Sequence, residues 1–231
     1  MKIKNNLKCQ WNIIRRNKMY YIYVLIMYFI LAFFDGKNKV YMPQMDDYIF
    51  RYNYQQVCIV FSSIIVTMML INEDFIKLFE DFIRLYIKDS KIYFYSALML
   101  LSFAHIVPFI LGQLLVLVIN YLYFGTVPIK LFLVNIIIVS IEIVVSNLLA
   151  MSLNLIIKNK VLVYLSYFII ITTLLFINNV YVSIPLNISI LESEGFYITF
   201  AYPLWIGRSI LIIISGILFH YAVKKIVSER Y

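Results

Sequence analysis

Glu142 is the only acidic side chain deep inside an apolar stretch of this 231-residue chain, and His105 stands three residues before Pro108 in another. An ionised group in hydrocarbon costs about 3 kcal/mol or more, so such residues mark substrate paths, proton relays or paired sites. Glu142 can line a path for a polar substrate, pass protons, or sit protonated or hydrogen-bonded to a neighbour such as Asn147 or Asn135. His105 can pair with Glu142 or bond a backbone carbonyl freed by Pro108, although a satisfied interior histidine is the plainer reading. Together they make a candidate intramembrane polar site.

Other chemistry is thin. The six glycines never take phosphate-loop spacing, so the chain has no Walker-type machinery and no nucleotide or other cofactor site of its own. No H-E-x-x-H occurs, and the two histidines, His105 and His220, stand in different apolar stretches without a cysteine cluster, which argues against a metal site. No G-x-S-x-G elbow or Ser–His–Asp set is readable. Cys9 and Cys58 do not suggest a disulfide. These readings together say that the chain is not itself an enzyme.

The remaining distinctive segment is 72–91, NEDFIKLFEDFIRLYIKDSK. Phe75, Ile76, Phe79, Phe82, Ile83, Tyr86 and Ile87 recur at helical spacing and form one apolar stripe. Glu73 with Lys77, and Glu80 with Arg84, lie four apart in the favourable order on the polar side. An amphipathic helix of this kind can hand a mechanical signal to something outside the bilayer.

The elements that must position these residues follow from composition. Hydrophobic residues are 63% of the chain and charged ones 14%, far below the roughly 25% charged of soluble domains. The fold class is therefore an all-α polytopic membrane protein, a single transmembrane domain over residues 1–231. Six spans are expected: Met19–Phe34, Val57–Ile71, Ile92–Ile119, Leu131–Ile157, Val161–Ile177 and Leu204–Val223. Pro108 and Gly112 predict a bend in the third. Few small residues line the spans, so small-xxx-small contacts are not a prominent device.

Lys and Arg set the orientation. Residues 1–18, 72–91, 158–160 and the tail from Lys224 carry fifteen positive charges, whereas the opposite loops carry four. The positive-inside rule places both termini in the cytoplasm of a cell membrane. The net charge of +8 is then topological, and no nucleic-acid partner is implied. The Ile, Asn, Lys and Tyr bias points to an AT-rich bacterial genome. No cleavable signal peptide is evident.

Residues 1–18 read as an interfacial amphipathic helix, with Ile3, Leu7, Trp11 and Ile14 on one face and Lys4, Lys8, Arg15 and Arg16 reaching lipid phosphates. Tyr20, Tyr21, Tyr121, Tyr123, Tyr202 and Trp205 read as interface anchors. The segment 178–203, mostly apolar but interrupted by Pro185 and Glu192–Gly195, reads as a re-entrant or interfacial element on the outer face.

Six spans, cytosolic termini, an amphipathic start, a charged amphipathic segment between spans two and three, and an apolar outer segment before span six form a set. With the segment Glu73 to Lys91 and the AYPLW at Pro203, the chain resembles the type 2 ABC-transporter permease family. The resemblance implies that Glu73, Phe75, Phe79, Glu80, Phe82, Arg84 and Lys91 couple to a separate nucleotide-binding ATPase subunit, which binds the ATP. It departs from the family at Tyr86–Ser90, where a small-residue, proline-containing turn is common. It also implies a second permease chain, identical or related, and export of an amphipathic peptide, drug or lipid. The alternatives are a non-transporting membrane immunity or accessory protein, a proton-coupled carrier, or an intramembrane enzyme using Glu142.

Overall fold

The computed structural model describes residues 7–8, 10–12, 18, 20–22, 25–26, 62–68, 71, 75, 78, 90–124, 129–182 and 202–229. Among them the secondary structure is helical except at Ile71 and residues 157–159, with no strand. Four long helices carry the fold: α1 (Ser90–Phe124), α2 (Ile129–Ile156), α3 (Lys160–Val182) and α4 (Tyr202–Glu229). They cover the third to sixth expected spans. Of the first two spans, only scattered residues of the first and the helical stretch 62–68 of the second fall within the described residues. The outer loop 35–55 lies outside them.

Among the described residues three stretches are long and apolar enough to cross a membrane: Lys91–Leu115, Val139–Ile156 and Ser209–Ser228; Lys160–Ile171 is a shorter apolar helix. Two boundaries differ from the sequence reading. Helix α3 runs on to Val182, so the first five residues of 178–203 continue the fifth span, and Tyr202 and Pro203 already belong to α4. Residues 183–201 lie outside the described set. Asn178 and Asn179 are poor helix formers in isolation, yet an apolar run on either side carries the helix through them.

The packing is inside-out relative to a protein in water. Along α1, Met99, Phe103, Val107, Leu111, Leu114, Val118 and Tyr121 are all exposed, three or four residues apart. That stripe rises about 33 Å, close to the thickness of a bilayer core. On α4 the exposed side chains include Ile210, Ile212, Ile213, Ile214 and Ile217, whereas Ser215 between them is buried. An apolar exterior around a polar-containing interior is stable only where lipid is the solvent.

Helix α2 is the centre of the described bundle. It packs most extensively on α4 and also on α1 and α3, while α3 rests on α4 as well. Its Val139, Ile143 and Met151 join a core with Phe94, Leu101 and Phe109 of α1 and Phe219 and Val223 of α4. Its Leu149, Ala150 and Leu153 join a second core with Ile64 and Met68, and with Val163, Tyr167 and Ile171 of α3. Ser146 and Ala150, four apart on α2, are both buried, as are Ala97, Ala104 and Ala222. Small residues are scarce in the sequence, but the fold uses them where helices meet, because a short side chain lets backbones approach. Helix α1 is continuous across Pro108.

Candidate functional site

Two polar constellations stand out, and each is built on α1. The first lies at its start. Tyr93 and Phe94 follow Lys91 in the opening turn; both are buried, while Lys91 is exposed. Phe75, from the charged amphipathic segment, is fully buried against them, with ring centroids 4.9 Å from Tyr93 and 6.2 Å from Phe94. Tyr93 and Phe94 themselves meet edge to face at 5.7 Å. The Tyr93 hydroxyl donates to the Phe75 carbonyl at 2.8 Å. One tyrosine therefore holds Phe75 by both ring and backbone.

The same turn also holds the N-terminal segment. Gln10 is fully buried, and its Nε2 donates to the Tyr93 carbonyl at 2.8 Å. The Ser96 hydroxyl reaches the Gln10 side-chain oxygen at 3.1 Å and the Tyr93 carbonyl at 2.9 Å. Three elements far apart in sequence thus converge on Tyr93: residues near 10, near 75, and the start of α1. Trp11 lies edge to face with Tyr21 at 6.2 Å, and it is more than a third exposed. The interfacial-helix reading is refined accordingly: Gln10 rather than Trp11 points into protein, because Gln10 finds partners that saturate its amide. Tyr20 also departs from the role of interface anchor, being buried in the core.

The second constellation lies deeper. His105 is fully buried, and neither ring nitrogen has a hydrogen bond among the described residues. Its neighbours are the Asn147 side chain and the ring of Tyr20, 6.3 Å away. The bonds open to His105 from sequence, to Glu142 or to a carbonyl freed by Pro108, are thus not made. Asn147 donates weakly to the Ser102 hydroxyl at 3.5 Å, and its carbonyl oxygen has no partner among the described residues. Beside it on α2, Ser146 faces the other way, toward the Tyr167 hydroxyl of α3, which Ser63 also approaches. Those hydroxyls are neighbours without hydrogen-bond geometry, since Tyr167 Oη and Ser63 Oγ are both unpartnered among the described residues. Glu142, half-buried, precedes Ser146 by one turn on the same stripe of α2.

The result is a polar layer running from His105 on α1, through Asn147 and Ser146 on α2, to Tyr167 on α3 and Ser63. Asn147 stands about 16 Å along the helix direction from Lys158, which puts the layer near the middle of a bilayer core. Nearer the basic end, Asn154 Nδ2 reaches the Thr67 carbonyl at 3.5 Å, tying 62–68 to α2. Among the described residues no group of three or more His, Cys, Asp or Glu could hold a metal ion.

Of the residues expected to couple to an ATPase, Phe75 is placed in the buried joint and Lys91 at its exposed edge. Glu73, Phe79, Glu80, Phe82 and Arg84 lie outside the described residues. The structure adds Gln10, Tyr93 and Ser96 to the first constellation, and Ser102, Ser63, Ser146 and Tyr167 to the second. Comparison with known families, curated proteins and solved structures finds no match to the chain.

Proposed function

We propose that this chain is the transmembrane permease subunit of an ATP-driven exporter, moving an amphipathic peptide, drug or lipid with energy from a separate ATPase subunit. Six spans, cytoplasmic termini and a second permease chain belong to this reading. The observation that supports it is the joint at Tyr93. A charged amphipathic segment is useful for coupling only if a push on it reaches the membrane helices. Phe75 of that segment is fully buried against the first turn of α1 and hydrogen-bonded to it. Because Gln10 grips the same turn, displacement of the segment would carry α1 and the N-terminal segment as one body. Lys8, Lys91, Lys158, Lys160 and Lys224 are exposed at or beside helix termini, a distribution in keeping with a cytoplasmic face.

The test is affinity purification of the intact protein from its native membrane in mild detergent. The expected result is a co-purifying ATPase subunit that wild type retains and the Phe79→Asp/Phe82→Asp variant loses. Recovery of no ATPase, with or without nucleotide, would overturn the reading.

A further inference from the structure

The polar layer in mid-bundle has a chemistry that the coupling joint does not explain. His105 Nδ1 and Nε2, Asn147 Oδ1, Tyr167 Oη and Ser63 Oγ are at most 1% exposed by residue, and they lie beside one another without an aligned bond among the described residues. Side chains that merely glued helices together would be expected to meet in aligned bonds, since an unmet polar group in a packed interior costs about 1–3 kcal/mol. Across α1 and α2 the Asn147 side chain reaches the Ser102 hydroxyl at 3.5 Å, a long bond. Among the described residues, aligned bonds leave part of the layer's hydrogen-bonding capacity unused.

Its composition selects the ligand. The free atoms are carbonyl and hydroxyl oxygens and imidazole nitrogen, of which a neutral ring offers one as acceptor. No Lys or Arg is buried among the described residues, so nothing there would compensate an anion. Glu142 lies one turn from Ser146 on the same stripe, with one carboxylate oxygen, Oε2, buried. Tyr20 beside His105 supplies an aromatic ring suited to a cation. Apolar side chains bracket the layer on both sides, Leu101 and Ile143 in one core and Ile64 and Leu149 in the other.

We propose that this layer receives the ammonium group of an amphipathic cation on the face of α2 that carries Glu142 and Ser146, with Glu142 as its counter-charge and Tyr167 and Ser63 as acceptors. That the cation is cargo rests on the permease reading; that it binds does not. The helices would part to admit it, and the ammonium N–H donors would then meet the oxygens left unmatched in the closed packing.

The experiment uses the purified full chain in nanodiscs of zwitterionic phosphatidylcholine and three fluorescent probes of matched apolar body. These are dansylcadaverine, which carries a primary ammonium, its neutral N-acetyl derivative, and a dansyl alkylsulfonate. Dansylcadaverine is expected to bind about tenfold tighter than the neutral derivative, the worth of one charge-assisted hydrogen bond, and the sulfonate weakest. Glu142→Gln should erase that preference, and Tyr167→Phe should weaken the ammonium probe roughly fivefold. Equal binding of all three probes to wild type, or an undiminished preference in Glu142→Gln, would overturn the proposal. The wild-type comparison decides the matter even where a variant fails to fold. Binding with preference but without a co-purifying ATPase would keep the site and discard the transporter; the converse would discard the site alone.

Discussion

Tyr93 and Tyr167 are buried to the same degree, each 1% exposed, in two helices of one bundle. The Tyr93 hydroxyl donates at 2.8 Å to a backbone carbonyl, whereas the Tyr167 hydroxyl stands between Ser146 and Ser63 without an aligned bond. That difference extends to their surroundings. Around Tyr93 the Gln10 amide is matched at both ends, and three aromatic rings interlock. Around Asn147 and His105 polar atoms are adjacent but unmatched. A joint that must transmit force benefits from saturated, directional contacts. A site that must take up and release a ligand needs capacity left open.

The contrast breaks most decisively at Phe75. Phe75→Ala removes a fully buried ring from the joint and should cost about 3–5 kcal/mol, seen as a marked fall in the unfolding midpoint in detergent. Gln10→Ala strips two hydrogen bonds from the start of α1 and leaves the Ser96 hydroxyl with one acceptor fewer; a loss of about 2 kcal/mol is expected in the same assay. Tyr93→Phe keeps the ring but removes the hydrogen bond to the Phe75 carbonyl, for about 1 kcal/mol. In the layer the sign changes. Tyr167→Phe removes a hydroxyl that makes no aligned bond among the described residues, so stability should stay within about 0.5 kcal/mol of wild type or rise, while ammonium-probe binding falls. A large loss of stability in Tyr167→Phe would show that the layer is structural.

The sequence made some of this legible and hid the rest for a physical reason. Long apolar runs announce α1, α2 and α4, because the bilayer imposes a length and a composition on any helix that crosses it. The apolar periodicity of 72–91 included Phe75, which the structure buries, since a stripe at helical spacing must face something. Gln10 was invisible by the same logic. It is polar, it sits beside the more conspicuous Trp11, and its partners lie 83 and 86 residues away. His105 and Glu142 were readable as ionisable groups in an apolar context, but not the company they keep. Ser63, Ser146 and Tyr167 are ordinary residues in a span until three helices bring them together. The burial of Ser146 with Ala150 on α2 was hidden likewise, because one small pair does not stand out in a long apolar run.

The aromatic line Trp11, Tyr21, Tyr20, His105 joins the two regions, with successive centroid separations of 6.2, 4.9 and 6.3 Å. A shift at the joint therefore has packed side chains through which to reach the layer.

The most direct test of this account is the pair Tyr93→Phe and Tyr167→Phe, made separately and compared for unfolding midpoint and for dansylcadaverine affinity. The account predicts that Tyr93→Phe lowers the midpoint and leaves probe affinity intact, whereas Tyr167→Phe leaves the midpoint intact and weakens the probe. Equal falls in midpoint for the two variants, with no change in probe affinity for either, would contradict it.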